Sequence, residues 1–279
     1  MYFKNTKSIL ILLLATIYPV ISQAICSSDN ADNFNEWISV TREQALNKGI
    51  SSKVVNEVFS SIQYRNETII ADRKQFTEPT LTFEEYLQNI SYLEIIANGK
   101  IMQKKYDKFL LNIQRKYGVP AGVLMALWGL ESKFGEKLGN VPIFSTLATL
   151  AYDCRRSKLF TREFYAALSL MEKGIISTKS LGATHGEIGQ FQFLPSNVDK
   201  FAVDADKDGR ADLINSKVDA IESTAKFLKG NGWIRGKGYQ PKEENFEKLK
   251  IWNNSKNYIK VVAYIASQID GLKIKNVYD

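Results

Sequence analysis

Residues 122–139 read GVLMALWGLESKFGEKLG, in which an almost unbroken apolar run, Val123 to Leu130, ends abruptly in one carboxylate, Glu131. A helix that is apolar all round has to be buried all round, so residues 121–131 read as the most deeply packed helix of the chain. On such a helix Leu127 and Trp128 share a face with Glu131, four and three positions before it. Apolar neighbours disfavour the charged carboxylate and raise its pKa, which is what a general acid needs at neutral pH. The alternative is an ordinary solvated helix end beside Lys133, Glu136 and Lys137.

Helical spacing runs through most of the remaining sequence. Phe34, Trp37, Ile38, Ala45, Ile50, Val54, Val55, Val58 and Phe59 follow it, with a break at Gly49-Ile50-Ser51-Ser52. Residues 71–84, around Pro79, lack a period and read as a loop or extended connection. The pattern resumes through Tyr86, Ile90, Leu93 and Ile96, and a separate helix is expected after Gly99, from Ile101 to Tyr117. Gly118-Val119-Pro120 stops that helix and starts the next. Further helices are expected over 160–173, 219–229 and 258–269, with a glycine-bearing loop at 181–196 leading into a short helix. Strand signals are few, so the expected fold class is mainly α.

The length of 279 residues suffices for a sizeable core in one large or two small domains. Residues 1–24 read as a signal peptide removed after Ala24. Lys4 and Lys7 form its basic start, Ile9 to Ile17 its apolar stretch and Ser22-Gln23-Ala24 its cleavage signal. That stretch is short for a membrane span and no second candidate follows, so a soluble exported protein of the periplasm is expected. Without it the chain carries 35 basic and 30 acidic residues, a mild excess. No Lys/Arg stripe of the kind nucleic acid requires stands out. A polyanionic wall or membrane surface is the better partner, and a general solubilising charge is the alternative. In an oxidising compartment the two cysteines are expected to form one disulfide, Cys26–Cys154. Gln23-Ala24-Ile25 lacks the leucine and the small residue of a lipobox, so lipid attachment at Cys26 is not expected.

Several constellations carry chemistry. Asp204-Ala-Asp206-Lys-Asp208-Gly209-Arg210 follows the calcium-loop pattern, with alternate carboxylates, a glycine at the sharp turn and a backbone carbonyl from Arg210. The twelfth position departs from it: Asn215 replaces the bidentate glutamate, and Asp219 is the substitute carboxylate. An acidic solvated turn is the alternative. Adjacent Arg155 and Arg156 suit carboxylates, sugar hydroxyls and carbonyls, or serve as a plain basic pair. Gly189-Gln190-Phe191-Gln192-Phe193-Leu194-Pro195-Ser196 and Trp252-Asn253-Asn254-Ser255 combine aromatic faces with amides, which suits sugar rings and equally a core turn or a cap. His185 is the single histidine, which rules out a zinc site of several histidines, and no phosphate-cradling glycine loop is present.

Taken in order, these segments resemble the B-type bacterial lytic murein transglycosylases, whose catalytic core is lysozyme-like. The resemblance covers most of the mature chain: Phe34-x-x-Trp37 with Ala45 and Gly49-Ile50; Asp72-Arg73-Lys74-Gln75 and Tyr86-Leu87; Tyr117-Gly118-Val119-Pro120; and Trp128-Gly129-Leu130-Glu131-Ser132-x-Phe134-Gly135. It continues through Leu147 to Arg156, Gln192 to Ser196, the acidic loop with Val218-Asp219-Ala220, Gly232-Trp233 and Trp252-Asn253.

The resemblance implies a lysozyme-like core with an additional N-terminal helical domain. Its expected parts are an N-terminal helical region over 25–100 and a catalytic core over 101–240 with an EF-hand-like loop at 204–215. A C-terminal helical segment over 241–279 completes the groove. It implies cleavage of the β-1,4 bond between N-acetylmuramic acid (MurNAc) and N-acetylglucosamine (GlcNAc) in peptidoglycan without added water, leaving 1,6-anhydro-MurNAc ends. Glu131 is the implied acid and then base. Tyr86, Arg155, Arg156, Gln192, Phe193, Trp252, Asn253 and Tyr258 are the implied glycan-groove residues, and Asp204, Asp206, Asp208, Arg210 and Asp219 the implied calcium site. A monomer acting on glycan strands, with no organic cofactor, is expected. The family usually has Gly-Ser-(Trp/Phe)-Ala-Gly-Ala-Met-Gly where this chain has Gly182-Ala183-Thr184-His185-Gly186-Glu187-Ile188-Gly189. Ala183 thus replaces a serine expected near the catalytic glutamate, and Glu187 adds a charge. A hydrolytic muramidase and a catalytically weak wall-binding scaffold are the competing readings.

Overall fold

The computed structural model describes residues 26–27, 31–77 and 81–275, so the expected signal peptide lies outside the described residues. Helix formation dominates them. The order is α1 (Phe34–Asn47), α2 (Ser52–Phe59), α3 (Asn66–Thr77), α4 (Phe83–Asn89), α5 (Tyr92–Lys105), α6 (Asp107–Tyr117) and α7 (Ala121–Ser132). There follow β1 (Val141–Pro142), α8 (Ile143–Tyr152), α9 (Ser157–Glu172), β2 (Leu181–Gly182), α10 (Pro195–Phe201), α11 (Lys217–Gly230), a 3-10 turn at Glu247–Ile251 and α12 (Lys256–Ile269). The two short strands pair antiparallel, Val141 with Gly182. The mainly α expectation stands.

The apolar run sets the architecture. Residues Gly122 to Gly129 of α7 are all buried, and α5, α6, α11 and α12 pack around them. Near its start, the Gly122 N–H donates to Asp270 Oδ1 at 2.7 Å, which ties α7 to the end of α12. On the other side of the molecule, α2 and α3 pack on α9 and α8. Edge-on aromatic contacts seal that side, Phe34 with Tyr152 at 5.3 Å and Trp37 with Phe164 at 6.2 Å. Cys26 and Cys154 are joined as expected, and Ser27 N–H donates to Tyr152 O at 3.0 Å, so the chain start is fixed to the end of α8.

Two expected boundaries are corrected. Residues 71–77, expected to be irregular, complete α3. That helix buries a carboxylate, Asp72, among its inward residues, so its hydrophobic period is weak although its backbone is regular. The chain restarts at Phe83 with a capping box between Thr82 and Glu85. Gly99 does not end a helix either: α5 runs through it and breaks at Tyr106 instead. A Cβ at Gly99 would lie 2.5 Å from Ile269 of α12, so the glycine serves close helix packing. The domain boundary expected at residue 100 thus falls inside α5, which packs on both α7 and α12.

Candidate active site

Glu131 is the penultimate residue of α7. Directly after the helix, Lys133 and Phe134 take left-handed conformations, φ 49° and 61°, so the backbone turns away at once. The carboxyl therefore sits at the end of a rigid, buried helix, on the wall of a cavity of about 640 Å³. Burial pushes its pKa above the ordinary carboxylate range. Hydrogen bonds from Tyr258 and Trp252 oppose that shift, and the nearby charge of Glu187 adds to it. Trp252 Nε1 donates to Glu131 Oε1 at 2.8 Å, and the Tyr258 hydroxyl donates to the same oxygen.

These donors come from the C-terminal part of the chain. Tyr258 lies in the first turn of α12, where Ser255 accepts its N–H as N-cap, and the Trp252 ring packs between Phe193 at 5.2 Å and Phe227 at 5.4 Å. The Trp128 indole is spent elsewhere: its N–H donates to Gln190 Oε1 at 2.9 Å. Gln190 in turn donates to Ile214 O at 2.8 Å, and its own carbonyl accepts from Ser132 at 2.6 Å. Gln190 thereby holds the 189–196 loop against α7. Buried Glu163 holds the far end of that loop, accepting the Ser196 N–H and hydroxyl at 2.9 Å each.

Six of the expected residues, Glu131, Arg156, Gln192, Phe193, Trp252 and Asn253, line the one cavity. Tyr258 is buried and is not itself among the cavity residues, but it meets two of them, Glu131 and Trp252. Tyr86 packs edge-on against Tyr258 at 6.1 Å, and both phenols are pushed up by burial and by the charge of Glu131. Arg155 is not among the cavity residues. It and Arg156 both form ion pairs with Asp72, which is 1% exposed. His185 Nε2 lies 3.2 Å from Asp72 Oδ1 as well. Sequence reasoning missed Asp72 as a hub, as it did Glu163, and gave Glu187 no role beyond an added charge. The arginines on Asp72 lie more than 80 residues away and the Ser196 held by Glu163 lies 33 away, and no spacing rule links them; His185 is only two residues from Glu187, but nothing in that short spacing marks a site.

Carboxylate oxygens of Asp204, Asp206 and Asp219 converge to within 4.8 Å of one another. Asp219 is buried and accepts backbone N–H groups from Ala205 and Asp212 at 2.8 Å each. Burial nevertheless pushes its pKa up, and the charge of Asp206 adds to this. The all-oxygen donor set fits a hard cation such as calcium, which would offset that crowding of negative charge. Asp208 is not in the convergent group; its Oδ1 accepts the Arg210 N–H at 2.9 Å, while the Arg210 guanidinium donates to Ile175 O. Asn215, at the departed twelfth position, donates to Asp212.

The fold and this site define a class, helical proteins with an open groove at which a buried, hydrogen-bonded carboxyl sits on the end of a buried helix. A family profile described as "Transglycosylase SLT domain" matches residues 33–244. The chain belongs to that family. It is 32% identical over 143 residues to the membrane-bound lytic murein transglycosylase B of Escherichia coli (strain K12), a match covering 50% of this chain and 39% of that protein. It thus spans well under half of that relative's length. SltB3 from Pseudomonas aeruginosa, solved in complex with NAG-NAM-pentapeptide, superposes with a TM-score of 0.77 and 26% identity, over 85% of this chain and 80% of SltB3. The Escherichia coli lytic transglycosylase Slt35, solved in complex with calcium, gives 0.74 over 88% and 96% of the two chains, and at 20% identity shows the common fold.

Proposed function

We propose that this protein is a peptidoglycan lytic transglycosylase that cleaves the MurNAc-β-1,4-GlcNAc bond and leaves 1,6-anhydro-MurNAc ends. The observation that carries the reading is Glu131 itself, a carboxyl with a raised pKa, held on one oxygen by Trp252 and Tyr258, in an open groove. Protonated Glu131 donates to the glycosidic oxygen as the C1–O4 bond breaks, and the 2-acetamido group stabilises the charge developing at C1. The resulting carboxylate takes the proton of the C6 hydroxyl while O6 bonds to C1. Acid and base are then one group used twice, and no second carboxylate is required.

Arg156, Gln192, Phe193, Trp252 and Asn253 are the proposed glycan contacts, as their side chains line the cavity. Tyr86 and Tyr258 act on the substrate through Glu131, and Arg155 acts through Asp72, by fixing Arg156 and His185. The 3-10 turn and α12 complete the groove begun by the core helices, with the N-terminal helices α1–α4 bracing its far side. Asp204, Asp206 and Asp219 would hold a structural calcium ion that fastens the acidic loop to α11; no step of the reaction runs through it. The relative named for murein and the SltB3 complex with NAG-NAM-pentapeptide support peptidoglycan strands as substrate. No helix among the described residues is long and apolar enough to cross a membrane.

Digestion of purified sacculi by wild type and Glu131→Gln tests this. Wild type is expected to release anhydro-muropeptides, one water lighter than hydrolysed ones by mass spectrometry, and Glu131→Gln to release about a thousandfold less. Equal release by the two proteins would dismiss Glu131 as the acid.

A further inference from the structure

Glu187 lines the same cavity as Glu131, yet a reaction run by a single glutamate gives it no part. Its carboxylate is held in place. One oxygen accepts the His185 N–H at 2.8 Å, and the other lies 3.2 Å from His185 Nδ1. The imidazole is fixed in turn, stacked on Phe160 at 6.3 Å and 19°, with its Nε2 3.2 Å from the buried Asp72. The backbone is tied down as well. Glu187 O accepts the Ala183 N–H at 3.0 Å, and a Cβ on Gly182 would meet that oxygen at 2.3 Å. So the groove carries two carboxyl groups on two separate rigid elements, one at the end of α7 and one on the turn after β2.

We propose that Glu187 is a second catalytic carboxylate of this groove, the general base for a water molecule that hydrolyses a share of the bonds protonated by Glu131. The proposal rests on the reading of Glu131 as the acid. Glu131 gives its proton to the leaving GlcNAc O4 as the C1–O4 bond breaks. The water oxygen bonds to C1, and the water proton passes to Glu187. The products are a reducing MurNAc end and a free GlcNAc 4-hydroxyl. Glu187 is left protonated and Glu131 ionised, solvent exchange restores both, and nothing is oxidised or reduced. The water competes with the substrate's own C6 hydroxyl for the same activated C1, so one groove yields two kinds of end.

The two environments support this division of labour. Burial and the Glu187 charge push the Glu131 pKa up. At Glu187 burial acts in the same upward direction, but the bonds and charge of His185 outweigh it and hold the carboxyl below the usual range. A pair of carboxyls pushed apart in this way is the pattern of an acid and a base in one site, and glycosidases that use water carry such a pair. The charged groups around Glu187 are Arg156 next to α9, Asp72 and Lys74 of α3, His185 on its own turn and Glu131 of α7.

The test is the ratio of reducing to anhydro ends in sacculus digests, read by mass spectrometry. The ratio is the readout because removing the Glu187 charge also alters Glu131 and hence total turnover. Wild type is expected to make both ends, and Glu187→Gln to lower the ratio about a hundredfold or more, the lower side of what a general base contributes. Formate added to Glu187→Ala is expected to bring reducing ends back, which keeps the test decisive if Glu187→Gln folds poorly. Wild type making anhydro ends alone, an unchanged ratio in Glu187→Gln, or no return of reducing ends with formate would each overturn the proposal and leave the transglycosylase reading intact. Undiminished release of both ends by Glu131→Gln would instead overturn the acid itself, and the base with it.

Discussion

The indole N–H of Trp252 donates a 2.8 Å hydrogen bond to Glu131 Oε1 across 121 positions of chain, and the Tyr258 hydroxyl shares that acceptor. Both bonds favour the carboxylate and so offset part of the burial that disfavours it. Losing either donor raises the Glu131 pKa further, because the opposing burial is unchanged. Activity that needs the proton on Glu131 is lost as pH rises through that pKa. In Tyr258→Phe and Trp252→Phe the alkaline limb of the pH–kcat profile is therefore expected to move upward by about one unit, the equivalent of about 1.4 kcal/mol. A carboxyl no longer oriented should also cost roughly tenfold in kcat at the optimum. An alkaline limb that stays put in both variants would count against these bonds as the tuning contacts.

Glu131 should also cost the protein stability. Its pKa is raised in the fold, so the folded state binds the proton more tightly than the unfolded one. The resulting stabilisation is fully present below the unfolded carboxyl's pKa and is lost as pH rises through the window up to the folded value. Glu131→Gln has no charge to bury. It is expected to melt higher than wild type at neutral pH, with the advantage shrinking in acid, while cleavage falls by about a thousandfold. Melting curves across that window check the sign, and a variant less stable than wild type at neutral pH refutes it.

At the acidic loop, calcium bound to Asp204, Asp206 and Asp219 should stabilise the fold by mass action, about 2.7 kcal/mol at a hundredfold excess over Kd. For a chain of this size that corresponds to roughly 5–10 °C in melting temperature. Chelation is expected to reverse the gain and Asp219→Asn to abolish the response. Asp208→Asn should keep most of it, since Asp208 is not among the three carboxylates that converge and its Oδ1 already accepts the Arg210 N–H. A melting temperature indifferent to calcium and chelator alike would dismiss the site.

Legibility followed the range of the interaction. Glu131 stood out because an apolar run with a terminal carboxylate is a local pattern, and the Gln192–Phe193 and Trp252–Asn253 pairs stood out because amides next to aromatics are local too. The mainly α class followed from period alone. Helix α3 was hidden because its inward face carries Asp72, a charge satisfied by Arg155 and Arg156 more than 80 residues on, and a period count scores such a residue as polar. Gly99 was misplaced for a related reason: the close approach of Ile269 that explains it belongs to a helix 170 residues away. The acidic loop is legible from its spacing, but spacing alone does not show which of its carboxylates converge.

Asp72 is where the two sides of the groove depend on each other. It is buried in α3, it pairs with Arg155 and Arg156 at the head of α9, and it lies 3.2 Å from the His185 ring that carries Glu187. Asp72→Asn keeps the shape and removes the charge, which takes from two partly buried guanidiniums the buried carboxylate they share, while the charges of Glu187 and Asp153 still act on Arg156. Breaking one side of a buried ion pair costs about 3–5 kcal/mol, and the lower end applies here because both arginines are 28% exposed. The expected loss is thus about 3 kcal/mol in urea unfolding. Arg155→Lys should cost less, because Arg156 and His185 still hold the carboxylate. The loss should also be specific to this hub: Arg73→Lys, which touches Asp153 at 3.4 Å with a side chain 44% exposed, is expected to change stability by less than about 1 kcal/mol. Equal losses from Asp72→Asn and Arg73→Lys would show that the pairing of Asp72 is ordinary surface charge and that the groove is braced by its apolar contacts alone.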